Sequence, residues 1–318
     1  MAPNRNSSSR ASQSGRAFVG MIQLVVLAGV LAACENPESV GTNPQMFVAV
    51  DIPPLTSDRA STGGISFTDY DSDGDPDIYV TNGYDVSSPD PGPQPNRLYE
   101  NLQGHYEARS IEGLADIEGF SSGSAWADFD NDGDLDTFVA NQRDQENVLL
   151  LQEVAEKGSV RFVRHATAKL AEDKGWSYSV AAADADNDGF VDYYVSNGGL
   201  SHSGVNYLYR NVEGTAIERV LNTDAVDSDH ASGGASWSDY DGDGDQDLVV
   251  ANRPTAEMQG FKLSLFRNDG DMQFTRMDEN ALPEDATFPM SVAWGDVDND
   301  GDQDLYAGNL YGMANNLY

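Results

Sequence analysis

The run Asp-x-Asp-x-Asp-Gly-x-x-Asp occurs five times in this 318-residue chain, beginning at Asp69, Asp128, Asp184, Asp239 and Asp296. The intervals are 59, 56, 55 and 57 residues. Other landmarks keep step with it. Two residues before the first Asp stand Phe67, Trp126, Ala182, Trp237 and Trp294, and five residues after the last stand Asn82, Asn141, Asn197, Asn252 and Asn309. Beyond these comes Asn-x-Leu-Tyr or a relative of it: Asn96–Tyr99, Asn147–Leu150, Asn206–Tyr209, Leu265-Phe266 and Asn315–Tyr318. Self-similarity at this period means that one supersecondary unit is repeated and that neighbouring units bury each other's faces.

Within a unit the apolar runs are short, β-branched or aromatic, and bounded by Asp, Asn and Gly. Ile78-Tyr79-Val80, Phe138-Val139, Tyr193-Tyr194-Val195 and Leu248-Val249-Val250 are such runs, and they read as strands. No segment sustains a helical period beyond a turn or two at Ala166–Lys174. Several short strands in each unit of about 57 residues predict an all-β fold, a β-propeller with one blade per repeat.

The Asp runs are metal loops by their spacing. Alternate carboxylates on a tight loop converge on one point, and Gly at the sixth position permits the sharp turn. The predicted side-chain ligands are Asp69, Asp71, Asp73 and Asp77 in the first copy, and Asp128, Asp130, Asp132 and Asp136 in the second. They are Asp184, Asp186, Asp188 and Asp192 in the third, Asp239, Asp241, Asp243 and Asp247 in the fourth, and Asp296, Asp298, Asp300 and Asp304 in the fifth. The seventh position, held by Asp75, Asp134, Phe190, Asp245 and Asp302, is assigned a backbone carbonyl, because a side-chain ligand would not tolerate Phe190. All-oxygen donors without His or Cys favour Ca²⁺ over Mg²⁺ and Zn²⁺. About five Ca²⁺ sites are expected. The loops are not helical EF-hands: the twelfth position, which would supply a bidentate Glu, is Val80, Val139, Val195, Val250 or Ala307.

Charge now acquires a meaning. The chain has 18 Lys+Arg against 53 Asp+Glu, a formal net charge of −35, and 24 of those acids lie in the five loops. A field of this sign repels nucleic-acid phosphates and anionic lipid, so neither is an expected partner.

The N-terminus reads as an address. Arg5, Arg10 and Arg16 precede an apolar stretch from Ala17 to Ala33, which ends in Leu31-Ala32-Ala33-Cys34. This is the order of a secretory signal. Seventeen residues is short for a membrane span. The last four residues resemble the bacterial lipobox, which implies cleavage before Cys34 and lipidation of its thiol. The expected organisation is residues 1–33 as signal, 34–45 as a tether punctuated by Pro37, Gly41 and Pro44, and 46–318 as the repeats. The protein is thus expected to be exported and lipid-anchored to the cell envelope. With Glu35 following the cysteine, the resemblance to lipoproteins implies the outer membrane in a Gram-negative cell.

The Asp-rich loop, the Trp-x-Asp lead-in and the Asn-x-Leu-Tyr strand resemble FG-GAP/VCBS repeats, the units of integrin-α-type propellers, over about residues 47–318. Gly234–Asp239, with Phe274–Met277 downstream, is most similar to the ASPIC/UnbV and cartilage-acidic-protein-like group, although the C-terminal domain usual in that group is missing. The resemblance implies a calcium-bound propeller, usually of seven blades, with roles in adhesion or in carbohydrate or protein binding. Blade number stays open. The chain stops after the Leu-Tyr strand of copy five, without the closing strand seen near Phe162-Val163 and Phe274-Thr275. The segment Met46–Val50 resembles that strand and would close five blades; truncation of a larger ring is the alternative that the abrupt end favours.

Nothing in the motifs builds a catalytic centre. His105, His165, His202 and His230 stand outside any pairing with a nucleophile or metal. Irregular insertions at Gly83–Pro95, Gly198–Gly204 and Arg253–Gly260 read as variable surface loops. The expected function is a non-enzymatic surface module that binds an unspecified protein or glycan. The alternative is a propeller enzyme acting on polysaccharide or a cofactor-linked substrate, which a cluster of non-repeating His, Arg, Glu or aromatic residues around the central channel would favour; a smooth channel, with divergence confined to the outer loops, would favour binding.

Overall fold

The computed structural model describes residues 51–318 except 59, 84–91, 116, 155–158, 167–169, 171, 200–201, 227–230, 254–261, 279–280, 283–287 and 311–312. The signal, Cys34, the tether, Met46–Val50 and His230 lie outside the described residues, as do parts of all three insertions.

Each repeat forms one antiparallel sheet, and the five sheets have a propeller arrangement. Blade one runs Thr62–Thr68, Asp77–Asn82, Arg97–Leu102 and His105–Arg109, paired in that order. Blade two has Ser121–Ala127, Asp136–Asn141, Val148–Val154 and Val160–Arg164. Blade three has Ser177–Ala183, Asp192–Gly199, Tyr207–Val212 and Ala216–Arg219. Blade four has Ala231–Ser238, Asp247–Arg253, Lys262–Asn268 and Phe274–Arg276. Blade five pairs three strands, Pro289–Gly295, Asp304–Asn309 and Asn316–Leu317. The fourth strands of blades two and four lie at the predicted Phe162-Val163 and Phe274-Thr275.

Second strands are buried on both faces, every residue from Asp77 to Asn82 and from Asp136 to Asn141 included. Period-two alternation sends successive side chains to opposite neighbours. Tyr79 faces blade two and packs with Val139, Val148, Leu150 and Phe162. Phe138 and Ala140 face blade three, where Tyr193 and Val195 meet them. Tyr194 faces blade four, against Trp237 and Leu248, and Val249 faces Leu305 of blade five. The core is therefore a series of inter-blade layers, and no blade owns one alone. In blades two, four and five the Trp two residues before the loop is a wedge between layers: the Trp126 ring meets Tyr79 edge-on at 5.3 Å, Trp237 meets Tyr194 at 6.2 Å, and Trp294 stacks on Tyr240 at 6.3 Å.

At the two ends of the series this layering stops. Ile78 and Val80 are covered by Leu55 and by Tyr106 of their own blade rather than by a neighbouring blade. Phe67, at the wedge position of blade one, is 51% exposed, and Tyr306, which corresponds to Tyr79, is 45% exposed. Neighbouring inner strands pack in the order blade one to blade five, and no comparable packing joins Pro289–Gly295 back to Thr62–Thr68.

The inner strands surround a cavity of about 320 Å³ lined by residues of all five blades, among them Gly63, Gly64, Ser122, Gly123, Ser179, Gly233, Gly234 and Ser291. Small residues are required where these strands converge: a Cβ on Gly63 would stand 2.4 Å from the Ser121 carbonyl oxygen. Every inner strand carries a register shift at the same place, between Thr62 and Gly64 in blade one and between Pro289 and Ser291 in blade five.

The repeated Asn residues hold the sheet register. Asn82, Asn141 and Asn197 are buried, and each donates its backbone N–H to the side-chain oxygen of Asn96, Asn147 or Asn206 at 2.8–2.9 Å. Their side-chain amides donate to the carbonyls of Pro95, Glu146 and Val205. A buried amide that satisfies itself across two strands fixes one pairing, because any slip would leave its donors without partners.

Candidate metal centres

All five Asp loops are the connection from the inner strand to the second strand of a blade, so they share one end of the propeller. Two side chains join neighbouring loops directly. Asn131 Nδ2 donates to the Gly189 carbonyl at 3.0 Å, and Asn187 Nδ2 donates to Asp245 Oδ1 at 2.6 Å.

A single hydrogen-bond plan shapes each loop. The first Asp accepts the N–H of the sixth residue: Gly74, Gly133, Gly189, Gly244 and Gly301 donate to Asp69, Asp128, Asp184, Asp239 and Asp296 at 3.0–3.2 Å. The fifth Asp accepts the N–H of the seventh residue at 2.8–3.0 Å, from Asp75, Asp134, Phe190, Asp245 and Asp302. Two residues per loop take positive φ. One is the sixth-position Gly, at 92–100°. The other is the fourth residue, with φ of 57–60° at Ser72, Asn131, Asn187 and Asn299 and 76° at Gly242. Asn, Ser and Gly tolerate this region far better than branched residues do. The sequence carried that signal in its Ser/Asn/Asn/Gly/Asn series, and the motif reading passed over it.

The ninth Asp is the deepest. Asp77, Asp136, Asp192 and Asp247 are at most 1% exposed. Each accepts two backbone N–H groups: Tyr70 and Asn101 donate to Asp77, Phe129 and Gln152 to Asp136, Ala185 and Asn211 to Asp192, and Tyr240 and Asn268 to Asp247. This carboxylate therefore staples the loop to the third strand besides facing the cluster. Its partners Asn101, Asn211 and Asn268 stand two residues beyond Leu-Tyr or Leu-Phe, an extension of the motif that sequence reading missed. Their side chains also bind across blades, since Asn211 Nδ2 donates to the Phe129 carbonyl and Asn268 Nδ2 to that of Ala185, both at 2.7 Å.

Carboxylate oxygens converge in every loop. Asp69, Asp71 and Asp77 offer oxygens within 4.8 Å of one another, as do Asp128, Asp130 and Asp136, Asp184, Asp186 and Asp192, and Asp239, Asp241 and Asp247. In the fifth loop the group is Asp296, Asp298 and Asp300. The first and third positions thus come together as the spacing predicted, with the ninth in four loops and the fifth in one.

Crowding and burial oppose ionisation when no cation is bound. Burial pushes the carboxyls of Asp77 and Asp247 up to about 6, and those of Asp136 and Asp192 up to about 7. Burial, then the neighbouring carboxylates, raise Asp71 and Asp130 as well. Asp71 Oδ1 and Asp130 Oδ1 are buried without a hydrogen-bond partner. Hard oxygen donors with unused lone pairs, held together against their own repulsion, are what a cation would complete. These repeated Asp groups could hold metal ions.

The FG-GAP-like repeat matches residues 69–139, 128–195 and 239–307. The chain belongs to the FG-GAP-like repeat family. This FG-GAP-like protein is also similar to cartilage acidic protein 1. It is 29% identical to the Mus musculus protein over 182 residues, covering 55% of this chain and 27% of the relative. The Homo sapiens protein is 29% identical over 181 residues, covering 55% and 26%. The chain thus spans about a quarter of the length of these curated relatives. Among solved structures, that of an Agrocybe aegerita lectin recognising non-reducing terminal N-acetylglucosamine aligns at TM-score 0.47 and 15% identity, over 76% of this chain and 59% of the lectin.

Proposed function

We propose that this protein is an exported, calcium-binding propeller that serves at the cell surface as a binding or adhesion module for a protein or glycan, tethered through a lipidated Cys34. The observation that carries the reading is the five-fold repetition of one carboxylate cluster on one hydrogen-bond plan, at one end of the molecule. In each loop the first, third, fifth and ninth Asp, with the carbonyl of the seventh residue, would hold the ion. Bound Ca²⁺ neutralises the cluster and fixes the loop. The chain's residues supply the rest: the fourth- and sixth-position turns fold the loop back, and the ninth Asp ties it to the third strand.

Calcium is a structural cofactor in this reading. At about 1 mM Ca²⁺ and a Kd of ~10⁻⁴–10⁻³ M, each site stabilises the fold by roughly 0.4–1.4 kcal/mol. Five independent sites together contribute about 2–7 kcal/mol, comparable with the stability of a whole domain.

Among the described residues the lining of the central cavity holds no His, Asp, Glu, Lys or Arg and one non-repeating aromatic, Tyr178. Acid–base or metal-assisted chemistry needs titratable groups to converge, so this lining supports the binding reading. The deciding experiment pairs calorimetric Ca²⁺ titration with glycan-array and pull-down binding, each in Ca²⁺ and in EDTA. Calcium uptake together with a calcium-dependent ligand is the expected result. Absence of uptake at millimolar Ca²⁺ would sink the reading.

A further inference from the structure

The five loops share a plan, yet the third differs from its siblings in two independent ways. Its seventh residue is Phe190 where the others carry an Asp, so the loop has one carboxylate fewer. It also contains a cation of its own. Arg210, on the third strand of blade three, places Nε 2.8 Å from Asp186 Oδ2, and that side chain is 8% exposed. The guanidinium continues across the blade boundary to the carboxylate of Asp271, and Nη2 also donates to the Asp271 carbonyl at 3.3 Å. At the equivalent place, the residue before the stapling Asn or Gln, the other complete blades carry Glu100, Leu151 and Arg267. Only Arg210 among these makes a direct ion pair with a loop carboxylate; Arg267 pairs with Asp269 at 2.6 Å, outside the loop, and feels the loop's Asp241 only at longer range.

We infer that Arg210 acts as a built-in counter-ion of the third loop, making it the weakest of the five cation sites and the one that keeps its shape when calcium is scarce. The inference rests on the reading of the loops as calcium sites. Its physical basis is charge. Charge at and around the ion tunes the affinity of such loops; here the non-ligating carboxylate that the seventh residue carries in the other loops is missing at Phe190, and a guanidinium sits against a predicted ligand. Like charges a few ångströms apart repel through partly screened surroundings, so the site should bind Ca²⁺ about tenfold or more weakly than the others. The same ion pair ties the loop to the Asp271 turn of blade four, so the boundary between blades three and four stays latched without metal.

Calorimetric Ca²⁺ titration of the full chain, beside Arg210→Met and Arg267→Met, tests this. The wild-type protein is expected to show a weaker class holding one site. In Arg210→Met that class should tighten about tenfold, while Arg267→Met leaves it in place. In EDTA, Arg210→Met should melt below both the wild type and Arg267→Met. If Arg210→Met does not fold, Phe190→Asp restores the missing carboxylate without touching the guanidinium and should tighten the same weak class. A single class of five equal sites in the wild type, or a weak class unmoved by every variant that folds, overturns the inference and leaves calcium binding standing. No uptake by the wild type overturns the underlying reading instead.

Discussion

Asp132 and Asp136 are four residues apart in one loop and do different work. Asp132 is exposed and accepts only the local Asp134 N–H. Asp136 is 1% exposed and satisfies the N–H groups of Phe129 and Gln152. Asp136→Ala leaves two buried donors unpaired and should cost about 2–4 kcal/mol in urea denaturation, even in EDTA. Asp132→Ala should leave the EDTA stability nearly unchanged and show its loss in calcium affinity. The raised carboxyls make a second prediction. The folded chain holds these protons more tightly than the unfolded chain, whose Asp residues titrate near about 4. With no cation bound, their contribution to stability is complete below that pH and is lost as pH climbs through 6 to 7, where Asp77, Asp247, Asp136 and Asp192 give up their protons. In EDTA the melting temperature should therefore fall between pH 5 and pH 8, and the increment produced by Ca²⁺ should grow over the same range. An increment that is flat with pH would contradict this.

At the scale of elements, the inner strand and the wedge residue decide whether blades can meet. Gly63→Val puts a branched side chain where even a Cβ has 2.4 Å to the Ser121 oxygen, and should cost about 1–3 kcal/mol in urea denaturation. Trp126→Ala empties the layer between blades one and two, where the ring touches Tyr79 and Phe162, and should cost about 3–5 kcal/mol in the same assay. Phe67 occupies the same repeat position but is half exposed, so Phe67→Ala should cost less than about 1 kcal/mol. The strands themselves were legible because β-branched and aromatic runs between Asp and Asn have few other uses. The fourth-position turn was equally present in the residues as a local positive φ, whereas the Asn staple beyond Leu-Tyr acts through hydrogen bonds between elements distant in sequence. Spacing alone does not reveal such bonds.

For the whole molecule, stability is a sum of inter-blade layers, to which calcium in each loop would add its own increment under the proposed function. Chelation is expected to lower the melting temperature substantially; an unchanged melting curve in EDTA would be the contrary outcome. Export is tested separately, by fractionation and mass spectrometry of Cys34→Ser expressed from the full gene in a bacterial host. The variant should lose its acyl mass and leave the membrane fraction. Repeat number, strand content and the convergence of the first and third carboxylates of each loop could be read from residue types and intervals, because a short loop brings its own alternate carboxylates together. Folding in three dimensions decided what those intervals could not. It placed all five loops at one end, buried the ninth Asp, gathered Gly and Ser around the cavity, left Phe67 and Tyr306 without blade partners, and laid Arg210 against Asp186. The reason is separation along the chain: a ligand loop closes within nine residues, whereas blade contacts such as Tyr79–Trp126 and Tyr194–Trp237 join residues more than forty apart and exist only once neighbouring sheets have packed.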